Sequence, residues 1–225
     1  MVKSNIIGSN NIIEVSKKAA IAVTVGISTD KACNPKNLYG FSKLLMEKMF
    51  LEANNNETKF CCTRFGNVVG SNGSVIPYWL RNHSSKGFIP LTSKEMRRLM
   101  ITSDEASVLI EKAINDTVKS GGGFVLSKKM KAVKLYDLAK LISNNIKIIG
   151  LRGGEELDED LVSMNELEYT ITEEDFIKIY SHKNDEKKKQ LHSPISSKNS
   201  IFMDEFEMAK LIEIVKSKIS KEEVY

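Results

Sequence analysis

Long apolar runs are missing from this 225-residue sequence, and so are spaced cysteine pairs, clustered histidines and any concentrated block of basic charge. The longest apolar stretch falls well short of the ~20 residues that a membrane-crossing helix needs, and no signal peptide is recognisable. A soluble, cytoplasmic protein without membrane association is therefore expected. Cysteine is limited to Cys33 and the adjacent Cys61 and Cys62. They offer neither a disulfide framework nor a zinc-ligand spacing, which points to a reducing compartment. His83, His182 and His192 lie far apart with no ligand-like neighbours, so no metal is expected. The net charge of +4 is scattered. Asp185 and Glu186 dilute the Lys187-Lys188-Lys189 run, which reads as a solvated loop rather than a nucleic-acid patch.

What is present suits a globular chain. With 41% hydrophobic and 28% charged residues it can bury a core, and one main domain plus a small lobe is the natural division. Periodicity predicts a helix over 3–18, a central strand over 20–29, a helix over 37–54 and a strand over 59–66, an α/β alternation. A further helix begins over Val75 to His83, where Trp79 reads as core. Thr102 opens another, with Glu105 completing a capping box and an apolar face through Ala106, Leu109, Ile110, Ala113 and Ile114. Gly121-Gly122-Gly123 reads as a turn before a strand over 123–127, and a last short strand falls over 146–151. Beyond Asp160 the periodicity weakens. Residues 185–199 read as an exposed loop and Glu205 to Lys218 as a terminal helix.

The richest chemistry lies between Ser28 and Lys43. Thr29, Asp30 and Lys31 sit where the apolar, β-branched run Ala19 to Ile27 ends, and Pro35 and Asn37 mark a turn. Tyr39 and Lys43 then fall at i and i+4 on one helix face. A lysine ammonium beside a phenol favours the phenolate, so Tyr39 is expected to titrate below its ordinary value of about 10. Tyr136 and Lys140 repeat the spacing, but on an ordinary amphipathic helix with Leu135, Leu138, Ala139 and Ile142 inward and no hydroxyl-bearing strand end before it. That copy reads as a decoy.

Thr29-Asp-Lys-Ala together with Asn37-Leu-Tyr-Gly resembles the extended short-chain dehydrogenase/reductases. Within them it is closest to the polysaccharide-biosynthesis branch of inverting UDP-N-acetylglucosamine 4,6-dehydratases and their capsule-synthesis relatives. Three more segments follow in order. Arg64-Phe-Gly-Asn-Val-Val-Gly-Ser-Asn-Gly-Ser-Val-Ile-Pro77 is similar to that branch's Arg-x-Gly-Asn-Val-x-Gly-Ser-x-Gly-Ser-Val-x-Pro. Met96-Arg-Arg-Leu-Met-Ile-Thr-Ser-Asp-Glu-Ala106 is similar to Met-Thr-Arg-Phe-x-Ile-Thr-x-x-Glu-Ala. Gly150-Leu-Arg-Gly-Gly-Glu-Glu-Leu-Asp-Glu159 is similar to Gly-x-Arg-Pro-Gly-Glu-Lys-x-His-Glu. Here Gly153, Glu156 and Asp158 replace the family's proline, lysine and histidine, which loosens the loop and makes it more acidic, so sugar-nucleotide binding is expected to weaken. Asn5-Ile-Ile-Gly-Ser-Asn-Asn-Ile-Ile-Glu14 resembles a helix that complete members place after three βα units of ~30 residues each. Those units, the glycine-rich dinucleotide fingerprint and the residue that reads the adenosine ribose are not found. A fragment, the second piece of a split gene and a decayed relative all fit.

The resemblance implies an α/β fold, the carboxy-terminal part of a Rossmann-type parallel sheet with a small α/β substrate lobe. Residues 1–160 would form a partial NAD(P)-binding domain with interleaved substrate-lobe segments. Residues 161–225 would be a carboxy-terminal extension. By the same resemblance Tyr39 is the base at the sugar C4 hydroxyl, Lys43 supports it and bonds the nicotinamide ribose with Asn5 nearby, and Thr29 holds the C4 oxygen. Lys31 would take the C5 proton while Asp30 protonates the departing C6 hydroxyl. Asn67, Arg98, Arg152 and Glu155 would bind a UDP-sugar, leaving Arg97 as the bystander of its pair. The cofactor would be NADP or NAD, bound only when the missing half is supplied by a separate amino-terminal piece. A homo-oligomer is the other expected partner. A non-catalytic sugar-nucleotide-binding remnant and a 4-epimerase are the alternative functions; the Asp30-Lys31 pair argues against the epimerase.

Overall fold

The computed structural model describes residues 1–182 and 190–222, so the Lys187–Lys189 run lies outside the described residues. A π-helical turn, Val2–Ile7, runs into α1 (Gly8–Lys18), followed by β1 (Val23–Thr29), a 3-10 turn at Asp30–Ala32, α2 (Leu38–Ala53) and β2 (Lys59–Phe65). Next come β3 (Asn67–Val68), α3 (Val75–Lys86), β4 (Ile89–Leu91), β5 (Arg97–Ile101) and α4 (Ser103–Ser120). The chain continues through β6 (Phe124–Lys128), β7 (Ala132–Lys134), α5 (Leu135–Lys140), β8 (Ile146–Ile148) and β9 (Asp160–Val162). A 3-10 turn at Met164–Tyr169, β10 (Thr170–Glu173), β11 (Phe176–Tyr180) and α6 (Glu205–Glu222) close it. These elements form two compact units. The first takes Met1–Phe65, Asp104–Lys129 and Asp160–Ile195, and the second takes Gly66–Ser103, Met130–Glu159 and Ser196–Tyr225.

The first unit is built on a five-stranded sheet of order β1-β2-β6-β11-β10. β1, β2 and β6 pair in parallel, β11 is antiparallel to β6 and β10 antiparallel to β11, so four of the five strands run the same way. Phe60, Cys61, Cys62 and Thr63 of β2 are each 0% exposed, as a strand covered on both faces requires, and the three cysteines are free and buried. Residues 121–123 all take positive φ, and a Cβ on Gly122 would stand 2.7 Å from the Phe60 carbonyl oxygen. The turn therefore needs glycine to deliver β6 alongside β2. The apolar face expected for α4 is corrected at one position. Ala106, Leu109 and Ala113 are buried, but Ile114 is exposed, because the buried stripe continues at helical spacing through Asp116 and Thr117. Asp116 reaches that position paired with Lys178 at 2.9 Å and Lys112 at 3.1 Å.

The second unit combines a three-stranded sheet, β3-β5-β7, with the parallel pair β4-β8. Its core joins Trp79, Ile76, Leu91, Met100 and Leu138 to Met208, Leu211, Ile212 and Val215 of α6. Trp79 is core as expected, 2% exposed, with its indole N–H donating to the Pro90 carbonyl at 2.8 Å. No helix among the described residues is long and apolar enough to cross a membrane.

A polar cluster centred on Arg64 is buried in the first unit. Arg64 on β2 is 1% exposed and places all five guanidinium N–H donors. Nε and Nη2 meet the two oxygens of Glu47 on α2 at 3.0 and 2.6 Å, and Nη2 and Nη1 meet those of Glu166 at 2.8 and 3.1 Å. Nη1 also donates to the Leu161 carbonyl at 3.0 Å. Glu166 in turn accepts from the Ser163 amide and hydroxyl, each at 3.0 Å, in a capping box that starts the second 3-10 turn. The Arg64 charge and these hydrogen bonds outweigh burial and pull Glu166 down from 4.5 to about 2.

Because its folded pKa is depressed, Glu166 adds stability that is fully present above pH ~4.5 and lost as pH falls toward ~2, on the order of 3 kcal/mol in all. Urea unfolding between pH 7 and pH 3 should show the larger part of that loss, about 2 kcal/mol, in the wild type and a smaller one in Glu166→Gln. Arg64→Ala strands two carboxylates and should cost about 3–5 kcal/mol at neutral pH. A loss below 1 kcal/mol would show that the cluster does not hold the unit together.

Candidate active site

The candidate proton-transfer residues gather at the carboxyl end of β1, where ligands bind in open α/β sheets. Thr29 ends the strand and caps the 3-10 turn, its hydroxyl accepting from the Lys31 amide at 3.5 Å and donating to Asp30 Oδ1 at 2.9 Å. The same oxygen accepts from Lys31 Nζ at 3.0 Å. Asp30 is 0% exposed, and its other oxygen, Oδ2, has no hydrogen-bond partner among the described residues. A buried carboxylate oxygen left without a donor is costly in a purely structural ion pair and is expected where a ligand completes the site.

Helix α2 starts where Asn37 accepts the Gly40 N–H at 3.0 Å. Gly40 lets the first turn approach the Asp30–Ala32 turn: a Cβ there would stand 2.3 Å from the Lys31 carbonyl oxygen. Tyr39 is thereby held against Thr29, Asp30 and Lys31. Its phenol is raised above its ordinary value by burial and by Asp30, against the lowering effects of Lys31 and of a hydrogen bond with Thr29. The expected depression by Lys43 is corrected in both direction and agent. The Lys43 ammonium donates to the Ile27 carbonyl at 2.8 Å and is itself lowered by burial, so the cation acting on Tyr39 is Lys31. Asn5 donates to the Ser42 hydroxyl at 2.9 Å, linking the π-helical turn to the helix that carries Tyr39 and Lys43. Tyr136 has a different setting, with Lys140 and Lys94 over its ring at 4.9 and 5.2 Å.

The loop bearing Asp30 is fastened by contacts that local sequence does not reveal. Cys33 donates to Glu166 at 3.3 Å and Asn34, at φ +46°, donates to Asp160 at 2.8 Å. Burial pushes the Cys33 thiol far up, so it acts as a neutral donor rather than a nucleophile.

The candidate sugar-nucleotide residues all belong to the second unit. Asn67 opens β3, paired with Met100 of β5. Arg98 is 6% exposed, and its guanidinium donates to the carbonyls of Arg97, Glu156 and Leu157 at 2.6, 2.8 and 3.1 Å. Its donors therefore fasten the segment that follows Glu155. Arg152 is exposed, its amide donating to the Glu155 carboxylate at 3.0 Å across a tight turn. Arg97 turns to Asp158: its Nε and Nη2 grip both oxygens at 2.7 and 2.8 Å.

Comparison with known proteins bears on the family and the fold. A model of the polysaccharide biosynthesis protein family matches residues 1–182. Over 186 residues the chain is 36% identical to the inverting UDP-N-acetylglucosamine 4,6-dehydratase of Campylobacter jejuni, an alignment covering 79% of this chain and 54% of that enzyme. The chain thus spans about half the length of that relative. Among solved structures, Pen from Bacillus thuringiensis is similar with a TM-score of 0.83 and 28% identity, over 96% of this chain and 68% of that one. TunA, a NAD-dependent NDP-hexosamine 5,6-dehydratase involved in tunicamycin biosynthesis, shares the fold with a TM-score of 0.55 at 16% identity, over 67% of this chain and 57% of that one.

The tight approach of α2 to the Asp30–Ala32 turn gives a direct check. Gly40→Ala should cost about 1–3 kcal/mol in urea unfolding, since backbone has to move to admit the methyl group. Gly153→Ala meets nothing within 4 Å and should stay within about 0.5 kcal/mol of wild type. Equal behaviour of the two would mean that Tyr39 is not held by this contact.

Proposed function

Since the chain belongs to the polysaccharide biosynthesis protein family, we propose that it carries the proton-transfer and sugar-binding part of a nucleotide-sugar 4,6-dehydratase. A UDP-N-acetylglucosamine-type substrate fits this reading. The observation that carries it is the Asp30 carboxylate, wholly buried, shared by Thr29 and Lys31 through one oxygen and unpartnered at the other. A dehydration needs an acid and a base beyond the tyrosine, and this pair supplies them.

Lys43 donates to the Ile27 carbonyl at 2.8 Å and weakly to Met46 Sδ at 3.9 Å, and with Tyr39 it suits the nicotinamide-ribose end of NADP or NAD. Asn5 acts there through Ser42. The glycine-rich turn that would take the pyrophosphate is not among these 225 residues, so on this reading the dinucleotide binds only when an amino-terminal piece supplies that turn. β1 is the end strand of its sheet among the described residues, with Ile27 exposed on it, and it offers an edge for such a segment to pair with. Bound, the cofactor supplies reversible hydride acceptance. Tyr39 removes the proton of the sugar C4 hydroxyl, whose oxygen Thr29 holds. The resulting ketone acidifies C5–H; with the Lys31 proton passed to Asp30 along their 3.0 Å contact, Lys31 takes the C5 proton and Asp30 protonates the C6 hydroxyl as it leaves as water, and return of the hydride to C6 with that proton to C5 would complete the 4-keto-6-deoxy sugar. Asn67, Arg152 and Glu155 bind the nucleotide diphosphate portion, and Arg98 contributes through the segment it fastens.

With the amino-terminal half of a related dehydratase added, Tyr39→Phe and Lys31→Ala should each lower formation of the 4-keto-6-deoxy sugar by about 100-fold or more, and Tyr136→Phe should not. Comparable loss from the Tyr136 change would assign the wrong tyrosine. The 225-residue chain alone should neither bind NADP tightly nor turn over, yet should bind UDP weakly by calorimetry. Absence of UDP binding at millimolar concentration would remove the sugar-nucleotide assignment.

A further inference from the structure

The turn carrying Arg152 and Glu155 has little rigidity of its own. Gly150 and Gly154 take φ of +83° and +81°, and Gly153, where the family pattern places proline, has open space around its α-carbon. Two bonds at its tip are local, Arg152 N–H to the Glu155 carboxylate and Glu155 N–H to the Arg152 carbonyl, each at 3.0 Å. A glycine in place of a proline raises the entropy lost when such a turn is ordered.

Rigidity enters from the stem. Arg97 donates its backbone N–H to the Leu157 carbonyl at 2.8 Å, and its guanidinium forks onto both oxygens of Asp158. Asp158 Oδ1 also accepts from the Ser197 hydroxyl at 3.0 Å. The Ser197 hydroxyl accepts the Glu159 N–H at 3.0 Å, and the Ser197 N–H returns to the Glu159 carbonyl at 2.9 Å. A two-pronged arginine–carboxylate contact fixes orientation as well as distance. At 21% and 22% exposure the pair adds little to global stability, so its main effect is geometric. The family pattern carries threonine at the place of Arg97 and histidine at that of Asp158. Both places are changed in this chain, and the two changed residues are the ones that meet.

We propose that Arg97, Asp158 and Ser197 form a latch that holds the Arg152–Glu155 turn in its nucleotide-binding shape, which makes Arg97 and Asp158 positioning residues. The inference rests on the reading above that Arg152 and Glu155 meet a uridine diphosphate. The latch takes over the stiffening that a proline at position 153 would supply.

The test uses the 225-residue chain and UDP as the probe. Arg97→Ala and the nearly isosteric Asp158→Asn should each weaken UDP binding about tenfold in calorimetry, with the melting temperature unchanged and faster amide exchange confined to residues 150–159. The charge-swapped double variant, Arg97→Asp with Asp158→Arg, should recover much of the affinity, a rescue that general destabilisation cannot produce. Arg152→Ala serves as the reference. If Arg152→Ala weakens UDP binding while Arg97→Ala and Asp158→Asn leave it unchanged, the latch is refuted and the binding turn stands. If Arg152→Ala has no effect either, the nucleotide assignment of the turn fails and the latch fails with it.

Discussion

The first unit depends on one buried cation, Arg64, held between the carboxylates of Glu47 and Glu166. Removing three charges from water is costly, and only geometry that satisfies every donor offsets it. Here all five guanidinium N–H groups are used, and the two acids come from α2 and from the turn after β9. The cation therefore joins the strand, the helix that carries Tyr39 and Lys43, and a segment 102 residues away along the chain. Glu166 passes the constraint on, because Cys33 donates to it from the residue that closes the Asp30–Ala32 turn. The position of the loop that carries Thr29, Asp30 and Lys31 is thus tied to an ion cluster elsewhere in the unit.

The electrostatics of the site are set by neighbours of opposite sign at short range. Asp30 and Lys31 pull the Tyr39 phenol in opposite directions, and burial decides the outcome, upward. A phenol poised in this way responds to anything that changes the local charge, including a cofactor or a substrate. Lys43 is committed to the end of β1 through Ile27, and this contact ties that end of the helix to the strand.

The second unit uses its arginines differently. Arg97 and Arg98 are adjacent on β5, and both turn to the same stretch, 156–159. Arg98 reaches main-chain carbonyls and is buried; Arg97 reaches a side-chain carboxylate and is partly exposed. Between them they determine the shape of a glycine-rich turn whose own sequence determines little.

Much of this could be read from the linear sequence, for a definite reason. The β1-to-α2 passage, the Asn37 cap, the buried β2 and the Gly121–Gly123 turn depend on residues within a few positions of one another, where steric and hydrogen-bonding rules act locally. The grouping of Thr29, Asp30 and Lys31 with Tyr39 was legible on the same grounds. Three features were not. Strands β10 and β11 lie where periodicity weakens, and they become strands by pairing onto β6. The pKa of Tyr39 depended on which lysine turned toward it, and spacing on a helix names candidates without choosing a rotamer. The Arg64–Glu166 and Arg97–Asp158 pairs span 102 and 61 residues, and a charge elsewhere in the chain becomes a partner only when the fold has set the register. The sequence by itself determined the elements and the inventory of reactive groups. Tertiary structure alone decided which charges meet, because an ion pair is a property of distance and burial.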